Sequence, residues 1–132
     1  MPPLGPPPQA IFAGESESAS FARAYVREAV SWQAPGLAAE RVDDVVLVAS
    51  ELVTNSIRYG TEPGDSLRVV VDAEPGRVRI EVHDPVRRQP YVPFDPGERQ
   101  RGRGMWIVDA LATWGVDEQP LGKSVWAELT WR

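Results

Sequence analysis

The stretch Glu51-Leu52-Val53-Thr54-Asn55-Ser56-Ile57-Arg58-Tyr59-Gly60 ends a long helical pattern and sets polar chemistry beside an apolar stripe. Val42, Val45, Val46, Ala49, Leu52, Val53 and Ile57 recur at helical spacing, which predicts a helix from Ala38 to Tyr59. Gly60 follows the last periodic residue, where a left-handed terminator is expected. Glu51, Asn55 and Arg58 stand at i, i+4 and i+7 and so share one face at the edge of the core. A carboxylate and an amide oxygen at that spacing can hold a hard cation such as Mg2+, or a water. A solvated helix face with stabilising polar pairs is the alternative reading of the same residues.

Upstream, five of the first eight residues are proline, which predicts a flexible tail over residues 1–14 and a single domain over 15–132. A helix is expected from Ser18 to Trp32, with Phe21, Tyr25, Ala29 and Trp32 on its apolar face and Pro35-Gly36 as its stop. Downstream, Leu67, Val69 and Val71 alternate with polar or outward positions, and so do Val78, Ile80 and Val82. Glu74-Pro75-Gly76 lies between them, so the two runs read as a hairpin. Residues 84–103 carry four prolines and no period, the pattern of a long loop. A short helix over 105–113 and a second hairpin (114–116 and 124–131) complete the chain. The order α-α-β-β-loop-α-β-β predicts an α+β two-layer sandwich, a mixed but mostly antiparallel sheet covered on one face by helices.

The 132 residues include no cysteine and a single histidine, which excludes disulfides, thiolate metal sites and multi-histidine zinc sites. No apolar run approaches the roughly 18 residues of a membrane helix. Without a basic and then apolar N-terminal segment, no signal peptide is expected and the placement is read as cytoplasmic. The net charge of -5 argues against direct nucleic-acid binding. That charge is unevenly spread: Pro85 to Gly104 holds five arginines and two acids, net +3, which leaves -8 for the rest.

Two further features carry chemistry. Gly102-Arg103-Gly104 precedes a helix, where glycine lets the backbone approach a phosphate and the helix start offers free N–H groups; a plain turn is the bland reading. Asp84 follows the strand ending Val82-His83, where a carboxylate can accept from an exocyclic amine such as that of adenine. An Asp opening a turn before Pro85 is the alternative. His83 reads as strand filler.

Taken together these segments resemble the GHKL, or Bergerat-fold, ATPases. The 51–60 stretch looks like their N-box helix, and Val82-His83-Asp84-Pro85 like their adenine-contacting box. Gly102-Arg103-Gly104-Met105-Trp106-Ile107-Val108-Asp109 looks like their second glycine box, and Gly122-Lys123-Ser124-Val125-Trp126-Ala127-Glu128-Leu129 like their closing strand. Order and spacing are similar to the small stand-alone branch of anti-sigma-factor serine/threonine kinases, over residues 18–131.

The resemblance implies ATP and Mg2+ as cofactors, with Asn55 on the metal and Glu51 as, or positioning, the general base. It implies that Asp84 accepts from the adenine amino group, with Ser124 near that contact. Gly102, Gly104 and Met105 would wrap the phosphates, with Arg58, Arg101 and Arg103 supplying positive charge. The partners implied are a sigma factor and an anti-sigma antagonist whose serine accepts the phosphate. An ATP-dependent protein-binding module without phosphotransfer is the alternative. A homodimer is open as well, since the first helix can pack on its own domain or on a second subunit. Two departures stand out: Asp84 is followed by Pro85-Val86-Arg87 rather than glycines, and Met105 stands where leucine is usual.

Overall fold

The computed structural model describes residues 4–85 and 102–131, with side chains from Met105 onward in the second segment. The elements in order are β1 (Gln9–Ala13), α1 (Ser18–Gln33), α2 (Ala39–Asn55), β2 (Ser66–Glu74), β3 (Arg77–Asp84), α3 (Gly102–Leu111), β4 (Thr113–Gln119) and β5 (Gly122–Thr130). The strands form one five-stranded sheet in the order β1-β2-β3-β5-β4, and every pairing is antiparallel. Two tight hairpins, turning at Pro75-Gly76 and at Pro120-Leu121, account for two of these pairings.

Strand alternation makes the sheet one-sided. Val69, Val71, Val78, Ile80, Val82, Val125, Ala127 and Leu129 face the helices and are buried. Arg79 and Glu81 pair across the other face at 2.9 Å, and the Arg79 guanidinium lies 4.5 Å from the Trp126 ring centroid. His83 takes a hydrogen bond on Nδ1 from Arg68 and donates from Nε2 to Glu81 at 2.9 Å. Burial pushes the Glu81 carboxyl upward, but the Arg79 and His83 bonds outweigh it and hold it below its ordinary value.

The apolar stripe expected on α2 is buried as read, with Val48 added, and Ile57 is half-buried. On α1 the buried residues are Ser18, Ala22, Val26, Ala29 and Val30, of which only Ala29 belongs to the expected face. Phe21 is 65 % exposed and Trp32 49 % exposed, so the aromatic stripe is not the core face. Small and β-branched residues let α1 approach α2 and the sheet closely, which bulky rings at those positions would prevent.

The aromatic side of α1 meets the N-terminal segment. The Tyr25 hydroxyl donates to the Pro7 carbonyl at 2.6 Å, and its ring stands 6.0 Å from that of Phe12. Burial pushes the Tyr25 hydroxyl up to about 12. The segment expected to be a tail over 1–14 thus contributes an edge strand, Gln9–Ala13, paired with β2. Proline is absent from that strand itself, which is why it can enter the ladder.

Where β1 stops, a side chain takes over its pairing. Gln33 Nε2 donates to the Val71 carbonyl at 3.1 Å, and the Ala73 N–H donates to Gln33 Oε1 at 2.7 Å. One amide thus satisfies two backbone groups of a sheet edge that would otherwise stay unpaired.

Leu52→Ala should cost about 2–5 kcal/mol in urea unfolding, and Phe21→Ala about 0.5 kcal/mol or less. A large loss at Phe21 would restore the aromatic face as the core face of α1.

Candidate functional site

The site forms where the C-terminal end of α2 meets the ends of β3 and β5. Glu51 and Asn55 are half-buried on the α2 face that turns toward α3. Asn55 Nδ2 donates to the Met105 sulfur at 3.0 Å, and Met105 is 2 % exposed. The end of α2 and the short α3 thus bring Asn55 and Met105, both singled out in the sequence, into contact.

Beyond Asn55 the helix widens into a π turn over Ser56–Gly60, a form that concentrates at functional sites. It carries Ser56 under the end of β3, where its hydroxyl donates to Asp84 Oδ2 at 3.0 Å. Gly60 is not left-handed, because among the described residues the only positive φ is at Gly64, +93°. Gly60 is required for space instead: a Cβ there would run into the Asp84 carboxylate. Gly122 is under the same constraint, since its Cβ would strike the Asp84 carbonyl.

Asp84 is the last residue of β3 rather than the opening of a loop, and it points to the helix side. Lys123, its cross-strand partner on β5, places Nζ 3.1 Å from Oδ1 and 3.0 Å from Oδ2. The Asp84 side chain is fully buried and that of Lys123 is 8 % exposed. Burial pushes the Asp84 carboxyl above its ordinary 3.8; the Lys123 ammonium, the Ser56 hydroxyl and, more weakly, His83 act against that rise. Among the described residues no buried side-chain nitrogen or oxygen lacks a hydrogen-bond partner.

Two expectations change here, for Ser124 and for Gly102 and Gly104. Ser124 does not share the Asp84 environment: it pairs with His83 and lies on the other face of the sheet, because β5 alternates. Lys123 is the residue that reaches Asp84. Arg58 is exposed, with its guanidinium 5.8 Å from the Tyr59 ring centroid. Gly102 and Gly104 belong to the first turn of α3 rather than to a turn preceding it. Arg101, the Arg103 side chain and the rest of the 86–101 segment lie outside the described residues.

Lys123 was legible in principle. It stands at an inward position of the β5 alternation Lys123, Val125, Ala127, Leu129, as Asp84 does in Val78, Ile80, Val82, Asp84. Two opposite charges breaking two apolar alternations at neighbouring strand ends call for each other, since neither is stable buried alone. A cavity of about 490 Å³ opens beside this node, lined by Arg68, His83, Asp84, Pro85, Leu121 and Gly122 among others. Among the described residues no cluster of three acidic or histidine side chains is disposed to hold a metal. No helix among them is long and apolar enough to cross a membrane.

Comparison with known proteins gives a family match over residues 12–128, described as a histidine kinase-like ATPase domain. No curated protein matches the chain. Among solved structures it is similar to a histidine kinase domain from the blue-light activated histidine kinase of Erythrobacter litoralis EL346. The TM-score is 0.52 and the identity 21 %, over 69 % of this chain and 45 % of that one. The chain thus spans less than half the length of that structure.

Lys123→Met should leave Asp84 buried with no counter-ion and raise its carboxyl further. A folded acid with a raised value holds a proton that the unfolded chain has already lost, so stability falls as pH rises above 3.8 until the folded carboxyl has also ionised. The stability gap between wild type and the variant should therefore be small near pH 5 and widen toward about 3–5 kcal/mol by pH 8. Urea midpoints at the two pH values measure it.

Proposed function

This chain belongs to the histidine kinase-like ATPase domain family, within the GHKL superfamily, and on that premise we propose that it binds Mg-ATP and acts as an anti-sigma-type serine/threonine protein kinase. ATP binding is the family's expectation. The protein substrate proposed is an anti-sigma antagonist carrying the acceptor serine, with a sigma factor as the second partner and the cytoplasm as the setting.

The observation that supports the reading best is the polar face of α2. Glu51 and Asn55 stand one turn apart beside α3, and the same helix runs directly into the Ser56–Asp84–Lys123 node. Phosphate chemistry and base recognition would thus be aligned along a single rigid element. Asp84 would accept from the adenine amino group, and the triphosphate would run along α2 toward the start of α3.

A magnesium ion fits this donor set in a limited way. Mg2+ ordinarily keeps waters and substrate phosphates among its ligands and takes only one or two from protein. Asn55 meets that need: its Nδ2 is engaged by Met105, which leaves Oδ1, a hard oxygen, as the ligand atom. When bound, the ion would neutralise phosphate charge. The protein's own part is positional. Gly102 and Gly104 at the start of α3 would let the backbone approach the phosphates, and Arg58, Arg101 and Arg103 would add positive charge.

In the transfer itself the serine hydroxyl oxygen would bond to the γ-phosphorus as the bond to the ADP oxygen breaks. Glu51 would take the hydroxyl proton onto its carboxylate, or orient the group that does.

Asn55→Ala should abolish the Mg2+-dependent part of ATP binding in titration calorimetry. Glu51→Ala should keep ATP affinity and lose about 100-fold or more of the phosphate transfer, read as label from γ-labelled ATP on the partner serine. ATP binding with no label on any antagonist, in wild type as in the variant, would make the protein an ATP-dependent binding module. Transfer at the wild-type rate by the Glu51 variant would remove Glu51 from the chemistry.

A further inference from the structure

The node at Asp84 is complete without any nucleotide. Its carboxylate receives Ser56 on Oδ2 and the Lys123 ammonium on both oxygens, at 3.0–3.1 Å. Glycine at 60 and 122 leaves the room this arrangement needs. An ionised carboxylate offers about four acceptor positions, and three are already taken here. Lys123 is also the only lysine of the chain, set at an inward position among Val125, Ala127 and Leu129. A buried lysine at such a place needs a partner, and Asp84 is the one it has.

The exocyclic amine of adenine and the ammonium of lysine make the same demand on a carboxylate, since each is an N–H donor. The ammonium makes it with a full charge, and charge-assisted bonds are about twice as strong as neutral ones. The ammonium already spans both oxygens, so the amine can take its place on the carboxylate only when the ammonium moves. The four-carbon stem of lysine can swing its head away while the strand stays in place.

We propose that Lys123 is a tethered competitor for the base-recognising carboxylate: its ammonium occupies on Asp84 the position that the adenine amino group takes, and that amino group reaches the carboxylate only as the lysine withdraws. This rests on the reading of Asp84 as the adenine acceptor. The empty protein keeps its buried carboxylate neutralised, and the base must exchange an ion pair for a weaker bond. ATP is therefore held loosely, and selection for the 6-amino group is blunted.

A single lysine makes the test clean. In protein labelled with carbon-13 at lysine Cε, one NMR signal reports Lys123. On saturation with Mg-ATP that signal should move to the position of an exposed lysine. With a purine ribonucleoside triphosphate that lacks the 6-amino group it should stay where it is. By calorimetry at pH 8, Lys123→Met should bind ATP about tenfold more tightly than wild type, with the analogue unchanged within about twofold.

A lysine signal that stays put while wild-type protein saturates with ATP overturns the proposal and leaves the family reading intact. So does a variant that binds ATP no better than wild type. Failure of wild type and variant alike to bind any nucleotide overturns both. Where the variant does not fold, the NMR titration of the wild-type protein decides alone.

Discussion

The Asp84–Lys123 ion pair can exist only because three pieces of chain meet at a point where two of them lack a side chain. Gly60 at the end of the α2 extension and Gly122 at the start of β5 both lie against Asp84. The pair is buried, so each charge is tolerable only with its partner in place. That couples the exit of the long helix to the register of the two central strands, since Asp84 and Lys123 face each other only when β3 and β5 pair as they do. A slip of β5 by one residue against β3 would turn Lys123 to the other face and leave Asp84 without its counter-ion. The node thus fixes register at the end of the sheet where the polar face of α2 arrives.

The rest of the domain follows from one-sided burial. Three helices and the inward positions of the sheet share a single core, and the outer face carries a lattice of charges with Trp126 beneath Arg79. Such a sheet has two edges to manage. On the β1 side the Gln33 amide extends the pairing of β2 past the end of the edge strand. This makes α1 a partner of the sheet through hydrogen bonds as well as through apolar contact.

Legibility differed by element for physical reasons. The α2 stripe and the β2–β3 hairpin could be read because one period, 3.6 or 2, dominates each and burial follows it. The face of α1 could not, because two stripes compete on it. Size favoured the aromatic stripe, while closeness of approach favoured Ala22, Val26, Ala29 and Val30. β1 was hidden by the prolines before it, which marked the whole N-terminal segment as a tail although Gln9–Ala13 contain none. In the site, Asn55 and Met105 were found by motif and do meet. Lys123 was passed over for Ser124 because the choice depends on which face of β5 each occupies, and a family-like spacing does not state that.

By itself the sequence determined the class of fold, the helix that bears Glu51 and Asn55, and the acidic residue at the end of β3. These depend on local period and residue type, which are written along the chain. Only the tertiary structure decided which charges neutralise one another, that Gly60 serves space rather than backbone angle, and that the aromatic side of α1 receives the N-terminal strand segment. Those outcomes depend on distances between residues far apart in sequence, 39 positions in the case of Asp84 and Lys123. Pairing across such a separation is settled by strand register and by the high free energy of a lone buried charge, neither of which is a property of any single segment.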